Sequence, residues 1–285
     1  MSDNNENNNN VNPSEFPYLH GFDQTEQDRL RAQARFAEQT VYKDVNLSRV
    51  KELIEIGCGV GAQTEILLRR FPDMHITCVD RSEHQLASAK EFLGSTLNGA
   101  FKDRFELHQM DATNLTFDSR KFDGAFLCWI LEHVPEPAKV LSEARRVLRP
   151  GGRIYITEVM NSSFLLDPYS PNTWKYWQAF NDYQYDMGGD PFIGAKLGNL
   201  LMQQGFRNIK VESKTWHLDN RRPDKRKEFI DYWCELLLSA APQLVKEGRV
   251  DQETVDEMRI ELKKVSNDPN AVFYYSFVQA SANAN

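Results

Sequence analysis

Residues 55–61 read Glu55-Ile56-Gly57-Cys58-Gly59-Val60-Gly61. Three glycines at alternate positions let a backbone turn tightly and approach a ligand with no Cβ in the way. A strand-like run, Val50 to Ile56, precedes the turn, and a helical pattern, Ala62 to Arg70, follows it. A helix that begins there points free N–H groups at the ligand. Asp80 ends the next strand candidate, about 20 residues on, where a carboxylate can accept hydrogen bonds from ribose hydroxyls. A glycine turn alone is weak evidence. Strand before, helix after and an acid on the next strand together describe a nucleoside-bearing ligand. The glycines are spaced more tightly than the dinucleotide pattern G-x-G-x-x-G, which sets its third glycine further along.

Two other ionisable side chains fall beyond the carboxyl ends of strand candidates. His133 follows Phe122–Cys128 by a short loop, and Glu158 sits near the end of Arg153–Val159. Either can serve as a general base or orient an acceptor. Each has a plainer reading: His133 packs its loop, and Glu158 caps a backbone N–H. An aromatic stretch from Phe164 to Tyr185 follows. Its rings suit the wall of an apolar pocket and can face a cation, although ordinary packing of a cap accounts for them equally well. Trp129, Trp174, Trp177 and Tyr183 are the expected substrate-facing rings, with Trp129 nearest the strand ends.

These residues need a frame. Strand candidates at Val50–Ile56, Met74–Asp80, Phe105–Met110, Phe122–Cys128 and Arg153–Val159 alternate with helical patterns at Ala62–Arg70, Glu83–Leu93 and Pro137–Leu148. Such alternation implies right-handed crossovers and a parallel sheet covered on both faces. Apolar pairs such as Leu53-Ile54 and Phe126-Leu127 fit strands buried on both sides. Further strands at Ile209–Ser213 and Ala271–Ala280 bring the expectation to an α/β, Rossmann-like, doubly wound and mostly parallel seven-stranded sheet. An N-terminal lid helix from Thr25 to about Tyr42 and a helical, aromatic cap accompany it. The expected division is a disordered polar tail over 1–12, a lid segment over 13–48 and the ligand-binding core over 49–160. An aromatic insertion over 161–190 and the end of the fold with inserted cap helices over 191–285 complete it.

The acid-x-G-x-G-x-G turn resembles motif I of class I S-adenosylmethionine-dependent methyltransferases. Asp80 looks like motif II. Met110-Asp111-Ala112 resembles the acid-plus-small pair after strand three, and Leu148-Arg149-Pro150-Gly151-Gly152 the turn before strand five. Phe122-Asp123 to His133-Val134 is similar to strand four and its loop in the quinone-biosynthesis-like subgroup (methyltransferase types 11 and 25). The resemblance covers about Val50 to Val159 and implies S-adenosyl-L-methionine as cofactor, with S-adenosyl-L-homocysteine as product. It implies that Glu55 organises the glycine loop, that Gly57, Gly59 and Gly61 shape the methionine end, and that Asp80 binds ribose with Arg81 beside the adenine. Asp111 and Ala112 would meet the adenine and the Cys128 backbone the amino group, with His133 close by. Tyr18 ahead of the lid helix, with Arg29 and Gln33 one turn apart on it, would close over the cofactor.

Of the charged side chains 34 are basic and 41 acidic, a net charge of −7, which repels phosphate backbones and disfavours a nucleic-acid partner. The run Arg221 to Lys227 reads as a solvated helix start. The four cysteines form no C-x-x-C pair and stand at no zinc spacing, so buried reduced thiols and no metal are expected. No apolar run is long enough to span a bilayer and no secretory pattern is visible, which points to the cytoplasm. The expected partner is a small-molecule methyl acceptor, with homodimerisation left open. Cys128-Trp129-Ile130-Leu131 stands where amino-methylating nucleic-acid and glutamine enzymes carry an N-P-P-Y-like sequence, so O-, C- and small-amine methylation stay open. A nicotinamide-dependent oxidoreductase, or a protein that binds the cofactor without methyl transfer, is the alternative.

Overall fold

The computed structural model describes residues 24–285. Tyr18 and the expected polar tail lie outside them. Eight strands form one sheet: β1 (Glu52–Ile56), β2 (His75–Asp80), β3 (Phe105–Gln109), β4 (Phe122–Cys128), β5 (Leu148–Val159), β6 (Leu165–Asp167), β7 (Arg207–Leu218) and β8 (Val272–Asn283). The order is β3-β2-β1-β4-β5-β8-β6, with β7 also paired to β8. Strands β1 to β5 run parallel, and β8 runs antiparallel to β5, β6 and β7.

Period-two alternation decides which face each strand residue covers. Leu53, Phe126, Tyr155 and Phe277 join the apolar layer on one face of the sheet. Ile54, Ile56, Leu127 and Ile156 join the layer on the other. The first layer is closed by α1 (Gln24–Val41), α2 (Ala62–Arg70), α3 (Glu83–Ser95), α5 (Pro171–Asp186), α7 (Pro223–Lys246) and α8 (Gln252–Asn267). The second is closed by α4 (Pro137–Val147) and α6 (Leu197–Gln203). Helix α4 shows why: Val140, Leu141, Ala144 and Val147 recur at helical spacing and are all buried.

Two expectations need correction. The sheet has eight strands and not seven, because Leu165–Asp167 pairs with Val272–Tyr274. Three residues ahead of Pro168 are too few to show alternation in sequence. The basic run is not all solvated either. Arg226 is 3% exposed and donates to the carbonyls of Asp268, Pro269 and Ala271, tying α7 to the start of β8. None of the helices among the described residues is long and apolar enough to cross a membrane.

Candidate active site

A cavity of about 580 Å³ opens at the carboxyl ends of β1 to β5. The glycine turn forms its floor. The N–H groups of Gly57 and Cys58 donate to the Val79 carbonyl, at 2.8 and 3.1 Å, which stitches the turn to β2. Gly57 and Gly59 have φ of +77° and +50°. A Cβ on Gly57 would lie 2.4 Å from Cδ1 of Ile130, so this glycine lets the turn pack against the loop after β4. A Cβ on Gly59 would meet no atom within 4 Å and would enter the cavity instead. Gly59→Ala therefore tests occupancy of the turn with little damage to packing. It lowers the melting temperature by only a few degrees, in line with the roughly 1 kcal/mol cost of a left-handed alanine. If the turn holds S-adenosylhomocysteine, as the resemblance implies, the new methyl takes ligand space and weakens that binding about tenfold in a calorimetric titration.

Asp80 closes the turn from the next strand. Its Oδ2 accepts the Gly59 N–H at 2.8 Å and its Oδ1 the Ser82 N–H at 3.0 Å. Burial holds its carboxyl above the ordinary range, and those two N–H donors pull the other way. Glu55 lies beneath the turn, 2% exposed, accepting the Thr64 hydroxyl at 2.6 Å. Burial pushes Glu55 up to about 8, Thr64 opposes this, and the charge of Asp80 adds to it. A carboxyl raised in the folded state stabilises most below its unfolded value of 4.5 and loses that contribution as pH climbs through about 8. Relative to Glu55→Gln, which cannot ionise, the wild-type unfolding free energy falls by about 1.4 kcal/mol per pH unit across that window. Urea unfolding of both chains at several pH values measures it; parallel curves contradict it.

Strand β4 ends at Cys128, whose thiol burial keeps neutral. Trp129 follows in the left-handed region with φ +56°, its N–H donating to the Thr157 carbonyl at 2.8 Å. A non-glycine residue there costs about 1–3 kcal/mol and persists only when its surroundings impose it. The restraint comes from Glu158 on β5. This carboxylate is fully buried and accepts the N–H groups of Ile130, Leu131 and Glu132 at 3.1, 2.8 and 3.3 Å. Burial and the neighbouring Glu132 carboxylate push Glu158 up, against those three donors. The same loop presents His133, with Nε2 3.6 Å from Glu132 Oε1. Burial lowers His133 below its ordinary value, which leaves the imidazole neutral at neutral pH.

Aromatic rings form the opposite wall. Phe36 comes from α1, Trp177 and Phe180 from α5, Trp216 from β7, Tyr232 and Trp233 from α7, and Tyr275 from β8. Arg29 spans the two walls along α1. It is gripped by both oxygens of Glu26, at 2.7 and 2.6 Å, and donates to Gln33 and to the Tyr232 hydroxyl.

Most residues singled out from the sequence meet here. Arg29, Gln33, Gly57, Gly59, Asp80 and Arg81 line the cavity, as do Asp111, Ala112, Cys128, Trp129, His133 and Trp177. Glu55 and Gly61 support the turn from outside it. The structure does not bring Glu158, Trp174 or Tyr183 to the cavity. Glu158 is committed to backbone donors, Trp174 packs on Phe164 at 5.4 Å, and the Tyr183 hydroxyl accepts from Gln243 at 3.0 Å. Phe36, Trp216, Tyr232, Trp233 and Tyr275 were not singled out, because only the tertiary fold gathers them.

Residues 54–156 match a family described as a methyltransferase domain. That stretch, from β1 into β5, is thus similar to a methyltransferase domain. An O-methyltransferase of Penicillium expansum, cnsE, is 28% identical over 162 residues, which are 56% of this chain and 54% of that protein. The demethylmenaquinone methyltransferase of Clavibacter sepedonicus is 35% identical over 38% of this chain and 41% of its own length. The match thus spans about half of those relatives or less. Among solved structures, the [4+2]-cyclase SpnF is similar with a TM-score of 0.51 and 21% identity, over 90% of this chain and 80% of that one. That last likeness shows the fold alone. The matched segment of the domain contains the glycine turn, Asp80, Asp111 and the β4 loop, whereas most of the aromatic wall lies outside it.

Proposed function

We propose that this chain transfers the methyl group of S-adenosylmethionine to a small-molecule acceptor. The observation that carries the reading is one cavity in which the glycine turn, Asp80 and Asp111 face an aromatic wall. The residues present fit the cofactor. Gly59 leaves open space, and the Asp80 carboxylate is held at the strand end where ribose hydroxyls are bound in such sheets. Asp111 stands exposed at the rim, its Oδ1 engaged by Thr113, and would meet the adenine beside Ala112 and Arg81. The Cys128 backbone would hold the amino group, and Arg29 with Gln33 would cover the cofactor from α1.

When bound, the cofactor supplies a methyl carbon already activated by positive sulfur, so the protein's task is alignment and exclusion of water. Alignment of this kind is worth about 7–11 kcal/mol in favourable systems. The wall of Trp129 and Trp177 positions the acceptor. The neutral imidazole of His133 can take a proton from an acceptor hydroxyl, and Glu132 beside it would stabilise the imidazolium. Glu158 acts as a positioning residue that fixes the backbone of the loop bearing Trp129 and His133. A net charge of −7 supports a small acceptor over a nucleic acid, and the free cysteines suit the cytoplasm. The test is incubation with methyl-labelled S-adenosylmethionine and a panel of phenols, hydroquinones and amines. Label is expected in at least one acceptor. Saturable cofactor binding with no transfer to any acceptor would favour a cofactor-binding protein of another activity.

A further inference from the structure

Strand β7 leaves one edge of the sheet open. β8 pairs with one side of it from Lys210 to Leu218, and among the described residues no strand pairs with the other. In an antiparallel ladder alternate residues turn their N–H and C=O groups away from the neighbouring strand, so this edge offers a row of backbone donors and acceptors. The edge is also uncovered. Lys210, Val211, Glu212, Ser213, Thr215 and His217 are all exposed. The opposite edge differs: β3 has five residues, four of them half-buried. Open edges are ordinarily blunted by short length, proline, bulges or outward lysines. β7 has 12 residues and no proline. Its register shift lies between Arg207 and Lys210, where Asn208 has φ +53°, and leaves the rest regular. Lys214 does not guard the edge, since it is 8% exposed and folds back onto Asp44 and Glu212.

The side chains along this edge are complementary to themselves. A second β7 laid antiparallel in the same sheet is related to the first by a two-fold axis normal to the sheet. Residues directly opposite share a face, so the axis passes through a residue position. An axis at Ser213 sets Glu212 opposite Lys214 of the second copy, and the reverse. Glu212 already lies 2.8 Å from the Lys214 of its own chain, so each glutamate then stands between two lysines. The same axis sets Val211 opposite Thr215 and pairs the regular stretch from Lys210 to Trp216 in full. An axis at Glu212 or at Lys214 sets like charges face to face, which is destabilising. An axis at Val211 runs Lys214 into the irregular stretch at Asn208. Apolar surface borders the edge as well. Val211 is 47% and Met202 62% exposed. A Cβ on Gly198 would lie 3.3 Å from Val211 Cγ2, and Met202 follows one turn along α6.

We propose that β7 is a homodimer interface, at which two copies of the chain pair edge to edge, antiparallel, about a two-fold axis at Ser213. The two sheets then continue as one. Backbone hydrogen bonds supply the contact, Glu212 and Lys214 set the register, and Val211 with Met202 gives it an apolar flank. Pairing of this kind does not depend on the methyl-transfer reading.

Sedimentation equilibrium of the full chain between about 1 μM and about 1 mM is expected to show a mass that rises from one chain toward two. Glu212→Lys, at an exposed position, puts like charges opposite each other on both sides of the axis. It is expected to raise the dimer dissociation constant at least about tenfold while the circular dichroism spectrum stays that of the wild type. Cross-linking reads the register. Ser213→Cys places two thiols across the axis, and air oxidation is expected to give a disulfide-linked dimer. Val211→Cys places its two thiols four residues out of line, about 13 Å apart along the strands and too far for a disulfide. A chain that stays monomeric over the whole range overturns the proposal and leaves the edge to an extended segment of a different protein. A dimer that Glu212→Lys does not weaken overturns it by placing the interface on another face. Cross-linking through Val211→Cys as efficient as through Ser213→Cys overturns it by removing the axis from Ser213.

Discussion

Asp80→Ala lowers the affinity for S-adenosylhomocysteine by about two to three orders of magnitude, as two charge-assisted hydrogen bonds to a ribose are worth. The chain itself should survive. Its carboxyl is already pushed up by burial, and the Gly59 and Ser82 N–H groups it leaves behind border the cavity, where water can replace it. Thermal unfolding of the variant close to that of the wild type, together with the loss of binding, separates a ligand role from a structural one. The pH dependence carries the same signature. Protonation removes the acceptor, so wild-type affinity weakens as pH falls through the raised value of Asp80, and the residual affinity of Asp80→Asn shows no such step. An alanine variant that binds the product as well as the wild type would place the ribose elsewhere.

Glu158→Ala has its largest effect on stability. Removing the carboxylate leaves the N–H groups of Ile130, Leu131 and Glu132 without their acceptor in a fully buried site. Each orphaned group costs about 1–3 kcal/mol, so a loss of at least about 3 kcal/mol in unfolding free energy is expected. Glu158→Gln keeps one carbonyl oxygen that can accept, and should lose about 1–2 kcal/mol. Binding of S-adenosylhomocysteine should weaken in the alanine variant, because the loop carrying Trp129 and His133 loses its anchor. Denaturant titration of the three chains checks the order. An alanine variant with wild-type stability and binding but no turnover would make Glu158 a base in the reaction instead of a support for the loop.

The half of the cavity around the glycine turn was legible in the sequence because its determinants are local. The Glu55–Gly61 turn lies within one strand–helix junction; Asp80 follows a short apolar run, and Asp111 follows the mostly alternating stretch Phe105 to Met110. Glu158 was harder. Its position at the end of β5 is visible, but a strand end does not say whether a carboxylate faces a cavity or a row of backbone donors. The α5 rings show a limit of another kind. Trp177 and Phe180 reach the cavity, whereas Trp174 and Tyr183 stand three residues to either side, about 4.5 Å along the axis, and pack elsewhere. The rest of the aromatic wall has no local signal. Phe36, Trp216, Tyr232, Trp233 and Tyr275 lie on four different elements and meet only once β7, β8 and α7 close over α1. The short strand β6 was hidden for a similar reason, since its pairing partner lies at the far end of the chain.

The central claim is that the turn from Glu55 to Gly61 holds an S-adenosyl nucleoside. A calorimetric titration of the full chain with S-adenosylhomocysteine, set beside the same titration with NADH, tests it most directly. The account predicts saturable binding of S-adenosylhomocysteine at a single site and no heat from NADH. Saturable NADH binding with none for S-adenosylhomocysteine would contradict it.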